Sequence, residues 1–156
     1  MKILVVEDSR FLRVAIERTL GKAGHEVTST ADGREALLAA RHSLPALILL
    51  DMMLPGLDGT CVLKELKHDA STSHIPVVVL TGLSKSNETK LKKAGAAAYI
   101  EKSSIDFSTN ANLLVQTIAS VTGVGEALVT PEQPKPTAEE VIATPEARLG
   151  KSVGTP

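Results

Sequence analysis

The chain has 156 residues, of which 43% are hydrophobic and 22% charged; this excludes a globally disordered protein and allows one domain with a buried core. Its 17 basic and 18 acidic residues leave a net charge of -1, which argues against electrostatic binding to nucleic acid or anionic lipid. Aromatic residues make up only 2%, so the core must be aliphatic, and stacking platforms for bases are excluded.

The single cysteine and the N-terminal segment bear on where the protein works. Cys61 is the only cysteine, so the sequence offers no disulfide framework and no cysteine-based metal site. The apolar run after Lys2 stops after four residues at Glu7 and Asp8, whereas a secretory signal needs about 7–15 apolar residues. No run approaches the roughly 18 apolar residues of a membrane span. We expect a soluble, cytoplasmic protein that binds no membrane.

Short apolar runs alternate with helical patterns along the first 123 residues. The continuous runs at 3–6, 47–50 and 77–80 are typical of strands buried on both faces of a parallel sheet. Short right-handed crossovers between such strands give a doubly wound α/β sandwich. In chain order the sequence predicts strand 3–6, helix 11–20, strand 26–30, helix 34–41, strand 47–50, helix 59–68, strand 77–80, helix 85–94, strand 96–100 and helix 107–121.

Polar side chains follow the predicted strands at the points where the strands end. The first strand ends at Glu7 and Asp8, and the third ends at Asp51. The fourth ends at Thr81, and the fifth ends near Lys102. In open α/β sheets, sites lie outside the carboxyl ends of the strands, at a switch point of the strand order. Three acids, a hydroxyl and an amine are therefore expected at one edge.

The three acids at this edge indicate a divalent cation. Glu7, Asp8 and Asp51 cannot all stay ionised at close range without a counter-charge. Mg²⁺ prefers carboxylates and waters, and it leaves room for a phosphate oxygen. Lys102 adds a mobile positive charge that can pair with an acid or a phosphoryl group. An aspartate in this setting can act as a nucleophile and become an aspartyl phosphate.

Because of these residues and their order, residues 1–122 resemble the receiver domain of two-component response regulators. Glu7 and Asp8 resemble the acidic pair that forms the family's Mg²⁺ pocket. Asp51 resembles the phosphoacceptor. Met53 falls where the family uses a backbone carbonyl as a metal ligand, which any side chain permits. The resemblance thus implies Mg²⁺ as the cofactor and Asp51 as the phosphorylated residue.

The same resemblance implies residues that bind the phosphoryl group and switch with it. Thr81 resembles the switch hydroxyl, and Gly82 lies where a small residue keeps the site open. Tyr99 occupies the aromatic switch position, and Lys102 that of the phosphate-binding lysine. The sequence departs from the family at Ser103, where proline, often after a cis bond, is usual. Because a non-proline cis bond costs about 2.5–4 kcal/mol, we expect a trans bond here.

The resemblance also implies a fold and a role. Five parallel strands in the order 2-1-3-4-5 with five helices would form a flavodoxin-like, CheY-like sheet. A receiver takes its phosphoryl group from a sensor histidine kinase or a histidine phosphotransfer protein, and it signals to a downstream protein through phosphorylation-dependent contacts. It is not an enzyme beyond taking and losing that group. No DNA-binding module follows residue 123, so we expect no direct DNA binding.

Two alternative functions stay open from the residues alone. A phosphatase with an aspartate nucleophile would resemble Asp-x-Asp at this strand end, but Met53 occupies the second position. A receiver-like module that binds partners without phosphorylation is kept open by Ser103. Taken singly, Asp8 could merely cap the first helix. Asp58 is expected to cap the third helix rather than to bind metal.

The composition changes after residue 123. Prolines at the density seen there are incompatible with helix interiors and central strands. We therefore predict a receiver domain at 1–123 and a proline-rich, disordered tail at 124–156. The tail holds no aromatic residue and five prolines, namely Pro131, Pro134, Pro136, Pro145 and Pro156.

Overall fold

Five parallel strands form one sheet in the structure, a computed structural model that describes residues 1–82, 88–108 and 112–123. The order across the sheet is β2-β1-β3-β4-β5, with parallel pairing throughout, so the predicted strand order and fold class are confirmed. The strands are β1 (Lys2–Val6), β2 (Glu26–Thr30), β3 (Leu47–Asp51), β4 (Val77–Thr81) and β5 (Ala98–Glu101).

The three central strands are the continuous apolar runs of the sequence. Every residue of β3 and β4 is buried, and in β1 only Lys2 is exposed, because helices cover both faces of this part of the sheet. The edge strands β2 and β5 are only partly buried. The predicted start of the last strand at residue 96 is wrong, because the Ala96 amide still bonds to the Leu91 carbonyl of the preceding helix (3.0 Å).

Within the described residues, five helices connect and follow the strands. Ser9 caps the first one, since its hydroxyl accepts the amide of Leu12 (3.4 Å), and Asp8 does not. Asp58 caps the third by accepting the amide of Cys61 (3.1 Å), as predicted. The helices are α1 (Arg10–Lys22), α2 (Gly33–Ser43), α3 (Gly59–His68), α4 (Glu88–Lys93) and α5 (Asn112–Thr122), and a short 3₁₀ helix that the sequence did not predict follows β5 at Lys102–Ser104.

Predicted helix boundaries are off by one or two residues in α1, α2 and α4, and the start of α5 is off by more. Helix α1 continues through Gly21, and the chain turns away at Gly24, whose φ of 93° is one that glycine adopts without strain. The last helix was expected from residue 107, but Phe107 and Ser108 lie in a turn. That turn is held by the Asp106 carboxylate, which accepts the Ser108 amide (2.9 Å), a local bond that competes with helix formation.

Two aliphatic clusters cover the two faces of the sheet. Successive strand residues point to opposite faces, so Leu49 belongs to one cluster and Leu50 to the other. The cluster with Leu50 packs against α2, α3 and α4, and the cluster with Leu49 packs against α1 and α5. Helices on both faces of a parallel sheet are the doubly wound arrangement that the sequence predicts.

Residues Met1–Thr122 form one compact unit. In the part of the chain that the structure describes, no helix combines the length and the apolar character needed to cross a membrane. The predicted tail at 124–156 lies outside the described residues, as do residues 85–87 and 109–111 of two predicted helices.

Candidate functional site

The carboxyl ends of four strands meet at one edge of the sheet. The register pairs Val6 of β1 with Leu50 of β3, which places the following residue of each strand, Glu7 and Asp51, side by side. On the other side of β3, Thr81 ends β4 and pairs with Glu101 of β5. The predicted site residues are therefore brought together by parallel pairing of strands that end at the same level.

The three predicted acids form one cluster at this edge. One carboxylate oxygen from each of Glu7, Asp8 and Asp51 lies within 4.8 Å of the other two. Glu7 and Asp51 are fully buried, whereas Asp8 is exposed. The cluster is thus closed on the protein side and open to solvent at Asp8.

Lys102 lies between the two buried acids. Its Nζ atom is 2.9 Å from Glu7 Oε2 and 3.0 Å from Asp51 Oδ2. These distances are those of ion pairs, and beyond Lys102 neither oxygen has a hydrogen-bond partner among the described residues. The second oxygen of each acid is held differently: Glu7 Oε1 accepts the amide of Ser9 (3.0 Å), and Asp51 Oδ1 accepts the amide of Met53 (3.0 Å).

Burial and charge shift the titration of this group of side chains. Burial raises the pKa of Glu7 from its ordinary 4.5 to about 7; the bond from Ser9 and the ammonium of Lys102 oppose the shift, and the charge of Asp51 adds to it. Burial alone would lower the pKa of Lys102, but its contacts with Glu7 and Asp51 outweigh burial and raise it. Near neutral pH, Lys102 is charged and Glu7 holds a proton part of the time.

The donor set fits Mg²⁺. Three carboxylates offer the hard oxygen ligands that this ion prefers. Glu7 Oε2 and Asp51 Oδ2 are buried and share the single ammonium of Lys102, with no further hydrogen-bond donor among the described residues. Buried carboxylate oxygens of this kind call for a cation. Because Asp8 is exposed, an ion bound to the cluster would face solvent on that side and could keep several of its waters.

The remaining predicted residues lie around this cluster. Thr81 is buried at the end of β4, and Gly82 after it is exposed, with no described atom within 4 Å of where an alanine Cβ would stand. Tyr99 is half-buried on β5, and its hydroxyl donates to Glu101 Oε1 at 3.5 Å, a long bond. Ser103 follows Lys102 through a trans bond, since the described residues contain no cis peptide. The trans expectation is confirmed.

Two residues near the acids were missed by the sequence analysis. Gly59 starts α3 so close to β3 that an added Cβ would stand 2.5 Å from the Met52 Cα and closer still to the Asp51 carbonyl oxygen. Arg13 of α1 donates from Nη1 to the backbone carbonyl of Glu7 (2.8 Å). A glycine directly after a helix-capping aspartate is a usable signal for the first of these, but nothing in the sequence indicates the second.

The raised pKa of Glu7 gives a pH dependence of stability. The folded protein holds the Glu7 proton up to about pH 7, whereas the unfolded chain releases it near 4.5. The folded state binds more protons in this window, so the free energy of unfolding contributed by Glu7 falls as the pH rises from about 4.5 to about 7. In metal-free buffer with a chelator, we expect Glu7→Gln to remove this fall and to be the more stable protein at pH 7.

Chemical denaturation at pH 4.5 to 8 measures the effect of Glu7→Gln, with Glu26→Gln at an exposed position as the control. The curves of the parent and of Glu7→Gln should diverge as the pH rises, while Glu26→Gln should run parallel to the parent. Parallel curves for all three proteins would show that Glu7 has no raised pKa in the folded state.

Comparison with known proteins agrees with this geometry. A family model described as the response regulator receiver domain matches residues 3–113. Response regulator PleD of Caulobacter vibrioides is 39% identical over 102 residues, which are 65% of this chain but only 22% of PleD. The polar-differentiation response regulator DivK of Brucella anthropi is 37% identical over 101 residues, 64% of this chain and 82% of DivK.

Solved structures show the same fold. The receiver domain of sensor histidine kinase PA1611 from Pseudomonas aeruginosa, with a magnesium ion coordinated in its active site cleft, has a TM-score of 0.69 and 28% identity. The similarity covers 78% of this chain and 97% of that one. The chemotaxis protein CheY4 of Vibrio cholerae has a TM-score of 0.69 and 30% identity, over 77% of this chain and 97% of that one. The chain belongs to the family of response regulator receiver domains, which act in two-component signalling.

Proposed function

We propose that this receiver domain accepts a phosphoryl group on Asp51, with Mg²⁺ bound, from a sensor histidine kinase or a histidine phosphotransfer protein. The observation that carries the proposal is the cluster at the sheet edge: Glu7, Asp8 and Asp51 within 4.8 Å of one another, with Lys102 Nζ 3.0 Å from Asp51. The magnesium ion in the related PA1611 receiver supports the choice of cation.

Asp51 is the nucleophile in the proposed reaction. A carboxylate oxygen of Asp51 forms a bond to the phosphorus of a phosphohistidine, and the bond from that phosphorus to the imidazole nitrogen breaks. The leaving nitrogen keeps the bonding electron pair, and the imidazole leaves as a neutral ring because its other nitrogen carries a proton before the transfer. Glu7, Asp8, Asp51 and the backbone carbonyl of Met53 would hold Mg²⁺. When bound, this ion supplies positive charge that balances the negative charge of the transferring group.

Lys102 and Thr81 complete the site. The ammonium of Lys102 already lies at ion-pair distance from Asp51, so it can follow the charge onto the phosphoryl group. The hydroxyl of Thr81, at the end of the neighbouring strand, donates a hydrogen bond to the same group. Gly82 leaves the approach open, since nothing described stands within 4 Å of the place a Cβ would take.

Tyr99 is the proposed reporter of phosphorylation. Its hydroxyl now contacts Glu101 at the strand end. When Thr81 turns toward the phosphoryl group, Tyr99 rotates inward beside β5, and the surface of α4, β5 and α5 changes. The phosphoryl group must favour the inward state through its own contacts, so the switch is a shift of populations.

The proposed role is signalling rather than enzymology on a separate substrate. The protein takes a phosphoryl group from a donor, loses it again, and contacts a downstream protein in between; it works in the cytoplasm without binding DNA directly. The boundary between a receiver domain at 1–123 and a tail at 124–156 stays a prediction. The phosphatase alternative is disfavoured because Met53, in the place of its second aspartate, is an exposed apolar side chain (63% exposed).

A phosphoryl mimic tests the proposal without a kinase. Fluoroberyllate together with Mg²⁺ should raise the melting temperature and change the fluorescence of Tyr99, which is the only tyrosine in a chain without tryptophan. Either component alone, or both with Asp51→Asn, should give a much smaller effect. A parent protein that does not respond to the two together would be a binding module that takes no phosphoryl group.

A further inference from the structure

The backbone and side chain of Glu7 are held by four different parts of the protein. Its amide donates to the Thr30 carbonyl of β2 (3.0 Å), and its Oε1 accepts the amide of Ser9 (3.0 Å). Its Oε2 faces Lys102 at 2.9 Å. Its carbonyl accepts from the Arg13 guanidinium (2.8 Å). Glu7 lies one residue beyond the end of β1. The donor to its backbone carbonyl is therefore a side chain, that of Arg13, rather than the backbone of a neighbouring strand.

We propose that Arg13 is a positioning residue that fixes the peptide of Glu7, and through it the direction of the Glu7 carboxylate toward Mg²⁺. This inference rests on the proposed function, because it assumes that Glu7 holds the ion. Arg13 lies in the first turn of α1 and is half-buried, and its amide bonds to the Ser9 carbonyl (2.8 Å). The guanidinium therefore joins the start of α1 to the peptide that links Glu7 to Asp8, two of the three acids of the cluster.

The direction in which the Mg²⁺ affinity changes when Arg13 is replaced distinguishes a positioning role from a purely electrostatic one. Arg13 carries a positive charge and contacts the backbone of Glu7, one of the three acids. Removing a nearby positive charge by itself strengthens the binding of a cation. Removing a group that orients a metal ligand has the opposite effect, typically a loss of affinity of about ten-fold or more. A weaker affinity for Mg²⁺ after loss of Arg13 is therefore the signature of positioning.

Titration with Mg²⁺ alone, followed by calorimetry, tests the inference on the full chain. We expect Arg13→Gln to raise the dissociation constant about ten-fold, and Arg13→Lys, which keeps the charge and one donor, to fall between Arg13→Gln and the parent. Arg18→Gln and Arg18→Lys are matched controls, because Arg18 is an exposed arginine of the same helix. Both should bind Mg²⁺ as the parent does.

The outcomes are distinct. Circular dichroism first confirms that each variant is folded at the temperature of the titration. An unchanged or tighter dissociation constant in Arg13→Gln overturns the positioning role. If Arg13→Gln does not fold, Arg13→Lys decides, and equal affinity in Arg13→Lys and Arg18→Lys overturns it. A parent protein that binds no Mg²⁺ overturns the proposed function instead.

Discussion

Replacing Gly59 by alanine should lower the free energy of unfolding by about 3 kcal/mol. The added Cβ would stand 2.5 Å from the Met52 Cα and closer still to the Asp51 carbonyl oxygen. Both neighbours are backbone atoms of a fully packed region, so they cannot move aside as the end of a side chain can. The displaced backbone carries the Asp51 side chain with it. We therefore expect Gly59→Ala to weaken Mg²⁺ binding as well as folding.

Gly21→Ala is the control for this substitution. Gly21 lies inside α1, is exposed, and has no atom within 4 Å of the position of a new Cβ. Alanine in a helix is favoured over glycine, so this variant should gain about 0.5–1 kcal/mol. Chemical denaturation measures both changes. If Gly59→Ala is as stable as the parent, α3 does not start against the end of β3 as described.

Replacing Lys102 by methionine should affect Mg²⁺ binding and phosphorylation in opposite directions. The ammonium lies 2.9 Å from Glu7 Oε2 and 3.0 Å from Asp51 Oδ2, so it competes with a metal ion for the same oxygens. Without it, Mg²⁺ should bind several-fold more tightly. The phosphoryl group, however, loses a charge that stabilises it during transfer, and phosphorylation should slow by about a hundred-fold.

Two further variants define the Lys102 effect. Lys102→Arg keeps the positive charge and should restore part of the rate, whereas Lys93→Met removes an exposed lysine of α4 and should change neither quantity. Calorimetry gives the affinity for Mg²⁺, and the time course with a small phosphodonor gives the rate. Weaker Mg²⁺ binding in Lys102→Met would show that the lysine supports the metal site rather than competes with it.

The sheet and its acidic edge were predictable because they depend on local patterns. The apolar runs that became β1, β3 and β4 identify buried parallel strands by themselves, and parallel pairing then brings Glu7 and Asp51 side by side. The boundaries were less predictable. Phe107 is apolar, which suits a helix. The Asp106 carboxylate, however, accepts the Ser108 amide and holds the backbone at Phe107 and Ser108 in a turn.

The contacts that hold the acids could not be predicted. Arg13 lies in α1, whereas Glu7, six residues earlier, lies just past the end of β1. Only the packing of α1 on the sheet brings the Arg13 guanidinium to the Glu7 carbonyl. The approach of Gly59 to the end of β3 likewise depends on where α3 begins in space. The sequence predicts that Lys102 can pair with an acid at this edge, but not that its ammonium lies between Glu7 and Asp51. Lys102 lies in a 3₁₀ helix for which the sequence carries no clear signal.

The site of phosphorylation is the most direct test of the proposed function. The full chain is incubated with Mg²⁺ and acetyl phosphate, and the modified residue is located by mass spectrometry after reduction of the acyl phosphate with borohydride. The predicted result is one acid-labile phosphoryl group on Asp51, absent with a chelator and absent in Asp51→Asn. Phosphorylation mapped to another residue, or an equal yield from Asp51→Asn, would contradict the assignment of Asp51 as the phosphoacceptor.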